Sequence, residues 1–247
     1  MSEDEEKLAI VSGAAGVLGV AISRDLVRDG YRVVLLDIDP EGLAPLASEL
    51  GDAAIPLDCD ISQSVAVTEA CETIQRQHGP VSVLVNNAGV LSNDKLEATS
   101  DAEWNRILRV NLDGAFFLSR ACLPGMKARG WGRMVNICSL AMKIGGLTAG
   151  TAYTTSKGAL AALTLSVARE CTGSGVTVNG IAPAYVRTPM VTEMLSAEQR
   201  DALLEQIPTG RFCEAEEVAH VVNFLVSPLA GYITGEIVDI NGGLEMG

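Results

Sequence analysis

The sequence predicts an α/β fold in which a doubly wound, mainly parallel sheet of seven strands carries helices on both faces. Short apolar runs alternate with helix-like segments along the whole chain. The runs are apolar at consecutive positions, which is typical of parallel strands covered on both faces. The first run leads directly into a glycine-rich turn, and ligands of such folds bind at the carboxyl ends of the strands.

The strands are assigned first. They are predicted at residues 8–12, 32–37, 54–61, 81–85, 133–137, 176–181 and 237–240. The first helix follows from Leu18, Ile22 and Leu26, which recur at helical spacing before Gly30 as a C-cap. Later helices are predicted up to about residue 50, up to about residue 78, and over residues 104–127 and 152–170.

Residues 186–211 break this alternation of strands and helices. The segment carries several methionines and leucines and follows the end of a strand. Because ligands of open α/β sheets bind beyond the carboxyl ends of the strands, we expect residues 186–211 to form a substrate lid.

Composition and charge narrow the class of protein. The chain has 247 residues, of which 48% are hydrophobic, and no linker or repeat divides it. One domain over residues 1–247 is therefore expected, with residues 1–7 as an acidic, flexible tail. The formal net charge of −13 argues against nucleic acid and membrane surfaces as partners. No signal peptide or membrane-spanning run is visible, so a cytoplasmic location is expected.

Cysteine and histidine content limits the chemistry. The six cysteines show no Cys-x-x-Cys spacing and lie in apolar stretches, which favours free thiols over disulfides. The two histidines, His78 and His220, are far apart in sequence. We therefore expect neither a metal site nor a Ser-His-Asp triad.

A nucleotide-binding turn is predicted after the first strand. Gly13, Gly16 and Gly19 would let the backbone approach a pyrophosphate at a helix N-terminus, with a tight turn that binds no ligand as the alternative. Asp37 ends the second strand, where a carboxylate can accept hydrogen bonds from an adenosine ribose and would repel a 2′-phosphate. No Arg or Lys occurs at residues 38–41, so NAD is favoured over NADP as the cofactor.

Tyr153 and Lys157 stand one helical turn apart, with Ser139 upstream. An ammonium close to a phenol lowers the pKa of the phenol, which can then exchange a proton with an alcohol or carbonyl oxygen. The Ser139 hydroxyl can hydrogen-bond the same oxygen. Taken alone, the spacing fits an exposed helix pair better than an active site, and its weight comes from the surrounding motifs.

Together these motifs resemble the short-chain dehydrogenases/reductases of the single-domain type, over nearly the whole chain. The matching segments are residues 12–19, 60–61, 86–89, 110–112, 136–139, 153–157, 182–189, 232–235 and 239–243. The resemblance implies a Rossmann-type fold. It also implies an oxidoreductase that interconverts a secondary alcohol and a ketone by hydride transfer, with a tyrosine as general acid and base.

The resemblance implies a role for each catalytic residue. Tyr153 would handle the proton, and Lys157 would lower the pKa of Tyr153 and bind the nicotinamide ribose. Ser139 would hold the substrate oxygen. Asn111 would disturb the backbone of its helix and position a water that links Lys157 to solvent.

The resemblance also implies the cofactor contacts. They are Gly13, Gly16, Val17, Leu18, Gly19, Asp37, Ile38, Asp60, Ile61, Asn87, Ala88, Gly89, Tyr153, Lys157, Pro183, Val186 and Thr188. The adenine contact at Asp60 could instead be shifted to Asp58. Val17 departs from the family's Gly-x-x-x-Gly-x-Gly pattern, and its Cβ is expected to crowd the pyrophosphate or to force Gly16 to take the turn.

The expected substrate contacts are mostly apolar. They are Leu140, Met142, Tyr185, Met190 and Met194, with Leu91 and Leu147 as further candidates. This set suits a small-molecule secondary alcohol or ketone of moderate polarity.

One alternative to this function is a 3-oxoacyl-carrier-protein or acyl-CoA reductase. That class is usually NADPH-linked and docks an acidic carrier on basic residues, for which Lys127, Arg129 and Arg133 offer a small cluster.

A second alternative is a non-catalytic nucleotide-sensing protein, against which the intact Asn, Ser, Tyr and Lys argue.

The helix at residues 152–170 predicts the oligomeric state. It is apolar or small on nearly all sides, so part of it would stay uncovered in a monomer. We therefore expect a homodimer or homotetramer. A tolerated apolar outer face is the alternative.

Overall fold

A computed structural model describes residues 7–188 and 196–246. The predicted contacts Met190 and Met194, most of the acidic tail and part of the predicted lid lie outside the described residues. Within them, seven strands form one parallel sheet in the order β3-β2-β1-β4-β5-β6-β7. Their bounds are β1 Leu8–Ser12, β2 Arg32–Asp37, β3 Ala54–Asp58, β4 Val83–Asn86, β5 Gly132–Ile137, β6 Val176–Pro183 and β7 Ile237–Ile240.

This strand order confirms the predicted Rossmann-type α/β fold. The chain winds outward from β1 to β3, then crosses back to β4 on the other side of β1. The carboxyl ends of β1 and β4 therefore flank the crevice where the winding direction reverses. Ligands of such sheets bind at this crevice.

Helices cover both faces of the sheet. In chain order they are α1 Val17–Arg28, α2 Pro40–Leu50, α3 Ser64–His78, α4 Asp101–Leu108, α5 Gly114–Arg129, α6 Ala141–Ile144, α7 Thr151–Glu170, α8 Ala197–Gln206 and α9 Ala215–Val226. Short 3₁₀ turns lie at Gly51–Ala53 and Pro228–Ala230. None of the helices in the described part of the chain is long and apolar enough to cross a bilayer.

The five inner strands bury both of their faces, as their consecutive apolar residues predict, whereas the edge strands β3 and β7 stay partly exposed. In β1, Ala9 and Val11 join one core with α1, α2 and α9. Leu8 and Ile10 join a second core with α3, α5 and the end of α7. All four residues are at most 1% exposed. The sheet is thus a rigid base from which the loops at its carboxyl edge project.

Several elements differ from the sequence prediction, three of them markedly. The expected helix over residues 104–127 consists of α4 and α5, separated by a π-helical turn at Arg109–Asp113. The third strand ends at Asp58, which leaves residues 59–61 as a loop at the edge of the sheet. Helix α9 was not predicted, although a capping box between Glu214 and Glu217 marks its start.

Candidate active site

A cavity of about 940 Å³ lies at the carboxyl edge of the sheet. Its walls come from the loops that follow β1, β2, β3, β4, β5 and β6. Its lining includes Asp37, Tyr153 and Lys157. The position is the one that the reversal of the strand order predicts.

The turn after β1 is shaped by two glycines. Gly13 has φ of 67°, and a Cβ there would lie 2.7 Å from the Ala88 Cα atom. A Cβ on Gly19 would collide with the Gly13 carbonyl and would lie 2.7 Å from the Ala14 Cα atom. Gly13 therefore makes the turn, and Gly19 lets α1 pack closely against it.

One prediction for this turn is corrected. Gly16 is not forced to take the turn, because its φ of −76° is accessible to any residue and it serves as the N-cap of α1. Gly19 does not line the cavity, and its contact with the cofactor stays a prediction. Its lack of a side chain serves the packing of α1. Val17 opens α1, lines the cavity and is 40% exposed.

Asp37 is held in place at the end of β2. Its Oδ2 atom accepts a hydrogen bond from the Ala15 amide at 2.9 Å, and its Oδ1 atom accepts one from the Asp39 amide at 3.1 Å. Each oxygen keeps a lone pair for a further donor. A carboxylate fixed in this way fits the hydroxyls of an adenosine ribose.

The adenine side of the cavity is built from the loop after β3. Asp60 and Ile61 line the cavity, and Asp58 does not. The Asp60 Oδ1 atom accepts from the Ser62 amide at 2.9 Å, which fixes its side chain. The pair at Asp60 and Ile61, rather than the shifted alternative at Asp58, is therefore in place to contact a nucleotide.

The end of β4 is tied to the glycine turn. The Asn87 side chain donates to the Ser12 and Gly13 carbonyls, both at 3.0 Å. The buried Ser12 hydroxyl accepts from the amides of Asn87 and Ala88 at 3.1 and 3.2 Å. These bonds fix the floor of the cavity, which Asn87, Ala88 and Gly89 line.

The structure brings Ser139, Tyr153 and Lys157 together on the cavity wall. Helix α7 carries Tyr153 and Lys157, and the Tyr153 hydroxyl is hydrogen-bonded to that of Ser139, which follows β5. The Lys157 ammonium lies 5.8 Å from the centroid of the Tyr153 ring and donates to the Ile137 carbonyl at 2.7 Å. The two hydroxyls can thus contact the same carbonyl oxygen, one of them as its proton donor, as reduction of a carbonyl requires.

Comparison with known proteins gives a family for this arrangement. Residues 13–245 match the family model described as enoyl-(acyl carrier protein) reductase. Similar proteins include the 3-oxoacyl-[acyl-carrier-protein] reductases FabG of Pseudomonas aeruginosa, 39% identical over 97% of this chain and 98% of that protein, and of Vibrio harveyi, 37% identical over 98% of both. The chain belongs to the short-chain dehydrogenase/reductase family.

A solved structure shares the fold of this chain. The crystal structure of gox2181 matches with a TM-score of 0.93 and 30% identity, over 97% of this chain and 96% of that one. As a short-chain dehydrogenase/reductase, the protein is an oxidoreductase that uses a nicotinamide cofactor. The glycine turn, the free lone pairs of Asp37 and the size of the cavity fit such a dinucleotide.

Burial controls the protonation of the reacting groups in this dehydrogenase/reductase. It raises the pKa of Tyr153 from its usual 10.0, and the hydrogen bond with Ser139 opposes the rise. It lowers the pKa of Lys157 from 10.5 to about 8. Desolvation disfavours the charged form in both cases.

The predicted lowering of the Tyr153 pKa by Lys157 is not what the structure shows. The ammonium lies over the face of the ring and is bonded to the Ile137 carbonyl rather than to the phenol oxygen. Desolvation is the largest influence on the Tyr153 pKa and raises it. The phenol stays protonated at neutral pH and is ready to donate.

Asn111 acts from behind the cavity wall. It lies within the π-helical turn and is 1% exposed. Its Oδ1 atom accepts from the Val90 amide at 2.8 Å, and its Nδ2 atom donates to the Val90 carbonyl and to the Ser156 hydroxyl, both at 3.0 Å. Asn111 thus joins the loop after β4 to α7. The water that it was predicted to position stays a prediction.

Pro183, Val186 and Thr188, which were predicted to contact the nicotinamide, line the cavity. At the substrate side, Leu140 and Tyr185 line the cavity together with Leu91 and Leu147. Met142 does not line the cavity and packs against a cluster that contains Cys138 and Leu160, so its contact with substrate stays a prediction. Lining residues that the sequence reading missed are Asn93, Arg106, Ile144, Gly146, Thr148 and Ala149.

These missed residues carry a weak signal in the sequence. Most of them fall between β5 and α7, in a stretch of glycines and small residues without an apolar pattern. Its place after the carboxyl end of a strand is the signal that could have identified it.

Three cations near the substrate side are held by carboxylates. Lys143 pairs with Asp239 at 2.5 Å, and Arg187 pairs with Glu214 at 2.8 Å. Arg106 lines the cavity, and both its bonds to the Glu103 carboxylate measure 2.7 Å.

Within residues 7–188 and 196–246, no group of acidic, His or Cys residues could hold a metal ion, and all six cysteines are free.

Proposed function

We propose that the protein interconverts 3-oxoacyl and 3-hydroxyacyl thioesters, with NAD(H) as its cofactor. The observation that carries the proposal is the Tyr153–Ser139 hydroxyl pair, which opens onto an apolar wall built by Leu91, Leu140 and Leu147. An acyl chain suits such a wall, because it gains free energy by leaving water. The names of the relatives support a thioester over the general secondary alcohol that the sequence favoured first.

The residues of the site have distinct tasks in this reaction. A bound nicotinamide would supply the hydride that reduces the 3-oxo carbon. The Tyr153 hydroxyl donates its proton to the oxygen as negative charge develops there, and Ser139 donates a hydrogen bond to the same oxygen. Because burial raises the pKa of Tyr153, the proton is available at neutral pH. The nearby Lys157 ammonium then stabilises the phenolate that is left.

Asp37 supports NAD(H) over the phosphorylated cofactor. Two backbone amides fix its carboxylate at the cavity wall. A 2′-phosphate at this point would meet a like charge, and the next residue, Ile38, offers no cation.

A second candidate is an NAD-dependent dehydrogenase of carrier-free secondary alcohols such as polyols or cyclic alcohols. The burial of Arg133 favours this second candidate over an enzyme that acts on a carrier-bound substrate. Arg133 is 3% exposed and donates to the Gly132 and Gly175 carbonyls, so it is not at the surface for an acidic carrier to contact. Two cations, Lys127 and Arg129, then remain of the predicted docking cluster, on a chain of net charge −13.

Initial rates on a substrate panel test the proposal. We expect consumption of NADH with 3-oxoacyl-CoA or a 3-oxoacyl carrier protein, and a kcat/KM at least about tenfold lower with simple ketones, since these lack the acyl and thioester contacts. Comparison of the rates with the two thioesters shows whether the acyl group is carried by coenzyme A or by a carrier protein. Turnover of polyols or cyclic alcohols with no turnover of either thioester would replace the proposal with the second candidate.

We also propose that the protein works as a homodimer or homotetramer. Phe116 of α5 and Leu165 of α7 are 41% and 52% exposed on neighbouring helices. Apolar side chains left uncovered in this way favour burial against a second copy of the chain.

A further inference from the structure

Two segments meet at the substrate side of the cavity. One, residues 92–95, follows β4, and the other, residues 145–150, joins α6 to α7. The Gly150 amide donates to the Ser92 carbonyl at 2.7 Å, and the Thr151 amide donates to the Asp94 carbonyl at 3.0 Å. These backbone bonds join the segments only at the α7 end of the second one.

Lys95 joins the rest of the second segment to the first. Its Nζ atom donates to the carbonyls of Ala149 at 2.7 Å, Gly146 at 2.8 Å and Leu147 at 3.4 Å. An ammonium has three donors, so these three acceptors use its full capacity. Hydrogen bonds from a charged donor are stronger than those between neutral groups. We call residues 145–150 the tied loop.

The tied loop forms part of the substrate wall. Four of its residues line the cavity, namely Gly146, Leu147, Thr148 and Ala149. Lys95 itself does not line the cavity. Any effect of Lys95 on substrate binding must therefore act through the loop that it holds.

The loop needs such a tie because of its composition. Gly145 and Gly146 have φ of 80° and 70°, a conformation that glycine reaches without cost and that is easily lost. The Leu147 side chain is 56% exposed, so core packing does not fix it. The ammonium of Lys95 is the polar contact that spans the exposed part of the loop.

We propose that Lys95 is a positioning residue that sets the substrate wall and with it the preference for acyl-chain length. The substrate class rests on the proposed function, whereas the tie between Lys95 and the loop does not. Removing the ammonium leaves three carbonyls to water and frees Leu147 to move away from the cavity. The hydride and proton steps use other residues, so binding of the chain should suffer more than turnover.

The test compares Lys95→Met and Lys95→Arg with Lys7→Met as a matched control. Lys7 also donates to a backbone carbonyl, that of Asp29, but it precedes β1 at the opposite edge of the sheet. Two readouts are needed: KM and kcat on 3-oxoacyl-CoA substrates of increasing chain length, and hydrogen exchange of the Gly150 and Thr151 amides, which are bonded to the segment that carries Lys95. The dissociation constant for NADH reports on the rest of the site.

For Lys95→Met we expect KM for the longest substrates to rise about tenfold, equivalent to roughly 1.4 kcal/mol, with kcat and NADH affinity within about twofold of wild type. Exchange of the Gly150 and Thr151 amides should become faster. Lys95→Arg should recover part of both effects, because its guanidinium also donates several hydrogen bonds. Lys7→Met should match wild type in both readouts.

Unchanged exchange of the Gly150 and Thr151 amides in Lys95→Met would overturn the proposal, as would an equal loss of kcat for all chain lengths. Exchange that accelerates in a protein that turns over no thioester would support the tie and refute the proposed substrate. The two failures are therefore distinguishable.

Discussion

At the scale of single residues, Asp37 is the group that decides between the two nicotinamide cofactors. We expect Asp37→Ala to weaken NADH binding about tenfold, because hydrogen bonds from the ribose to a carboxylate are lost. Binding of NADPH should improve at the same time, since a like charge beside its 2′-phosphate is removed. Titration of both cofactors by fluorescence measures the ratio. A wild-type protein that already prefers NADPH would contradict this account of Asp37.

Lys157 gives a pH dependence of stability with a defined sign. Its pKa falls from 10.5 in the unfolded chain to about 8 in the folded one. Between these values the unfolded chain binds a proton that the folded chain has released. The contribution of this group to the free energy of unfolding therefore rises with pH across this window, by up to roughly 1.4 kcal/mol per pH unit.

Urea unfolding of wild type and Lys157→Met checks this sign. We expect the difference in the free energy of unfolding, wild type minus variant, to grow from about pH 8 to about pH 10. Curves that stay parallel over this range would mean that the ammonium is not desolvated in the folded protein.

Single residues also show what the sequence could reveal. The spacing of Tyr153 and Lys157 is a local signal, but their role and that of Ser139 were predicted only together with the surrounding motifs. The raised pKa of Tyr153 was not predicted, since it depends on the contacts that bury the phenol in the folded chain. Contacts of that kind join distant parts of the chain and leave no pattern in the sequence.

At the scale of elements, the turn before α1 distinguishes two glycines. We expect Gly19→Ala to lose stability by about 1–3 kcal/mol and to weaken NADH binding, because the new methyl group would meet the Gly13 backbone. Gly16→Ala should stay within about 1 kcal/mol of wild type, since its Cβ would lie 3.4 Å from the Gly13 carbonyl oxygen. Thermal unfolding of both variants tests the pair, and equal losses would be inconsistent with this role of Gly19.

Elements were predicted well where their pattern is local. The strands follow from their apolar runs, and α1 from its spacing and Gly30. The interruption between α4 and α5 was expected only through the family resemblance, since Asn111 is held there by Val90 and Ser156, both far away in sequence. Helix α9 could have been found from its capping box and from the spacing of Val218 and Val222.

At the scale of the whole molecule, the parallel sheet followed from strands that are apolar on both faces. The strand order did not, because periodicity says nothing about which strands are neighbours. The order was available only through the family resemblance. The lining residues of the tied loop were missed for a related reason, since their place in the wall is set by contacts with the segment after β4.

Assembly is the prediction that belongs to the whole molecule. We expect sedimentation to show a dimer or tetramer at micromolar concentration, and Leu165→Arg to shift it toward smaller species by placing a charge on the apolar surface. Glu72→Arg is a control, because it changes charge on α3 instead. A wild-type monomer, or a variant that assembles as wild type does, would contradict the expectation.

The central claim is that Tyr153 gives a proton to the oxygen of a 3-oxoacyl thioester while NADH is oxidised. The most direct measurement is NADH consumption with such a thioester by wild type and by Tyr153→Phe, together with NADH binding by both. We predict turnover by wild type, a loss of about 10²-fold to 10⁴-fold in the variant, and nearly equal NADH affinity. A variant that keeps most of the wild-type turnover would contradict the claim.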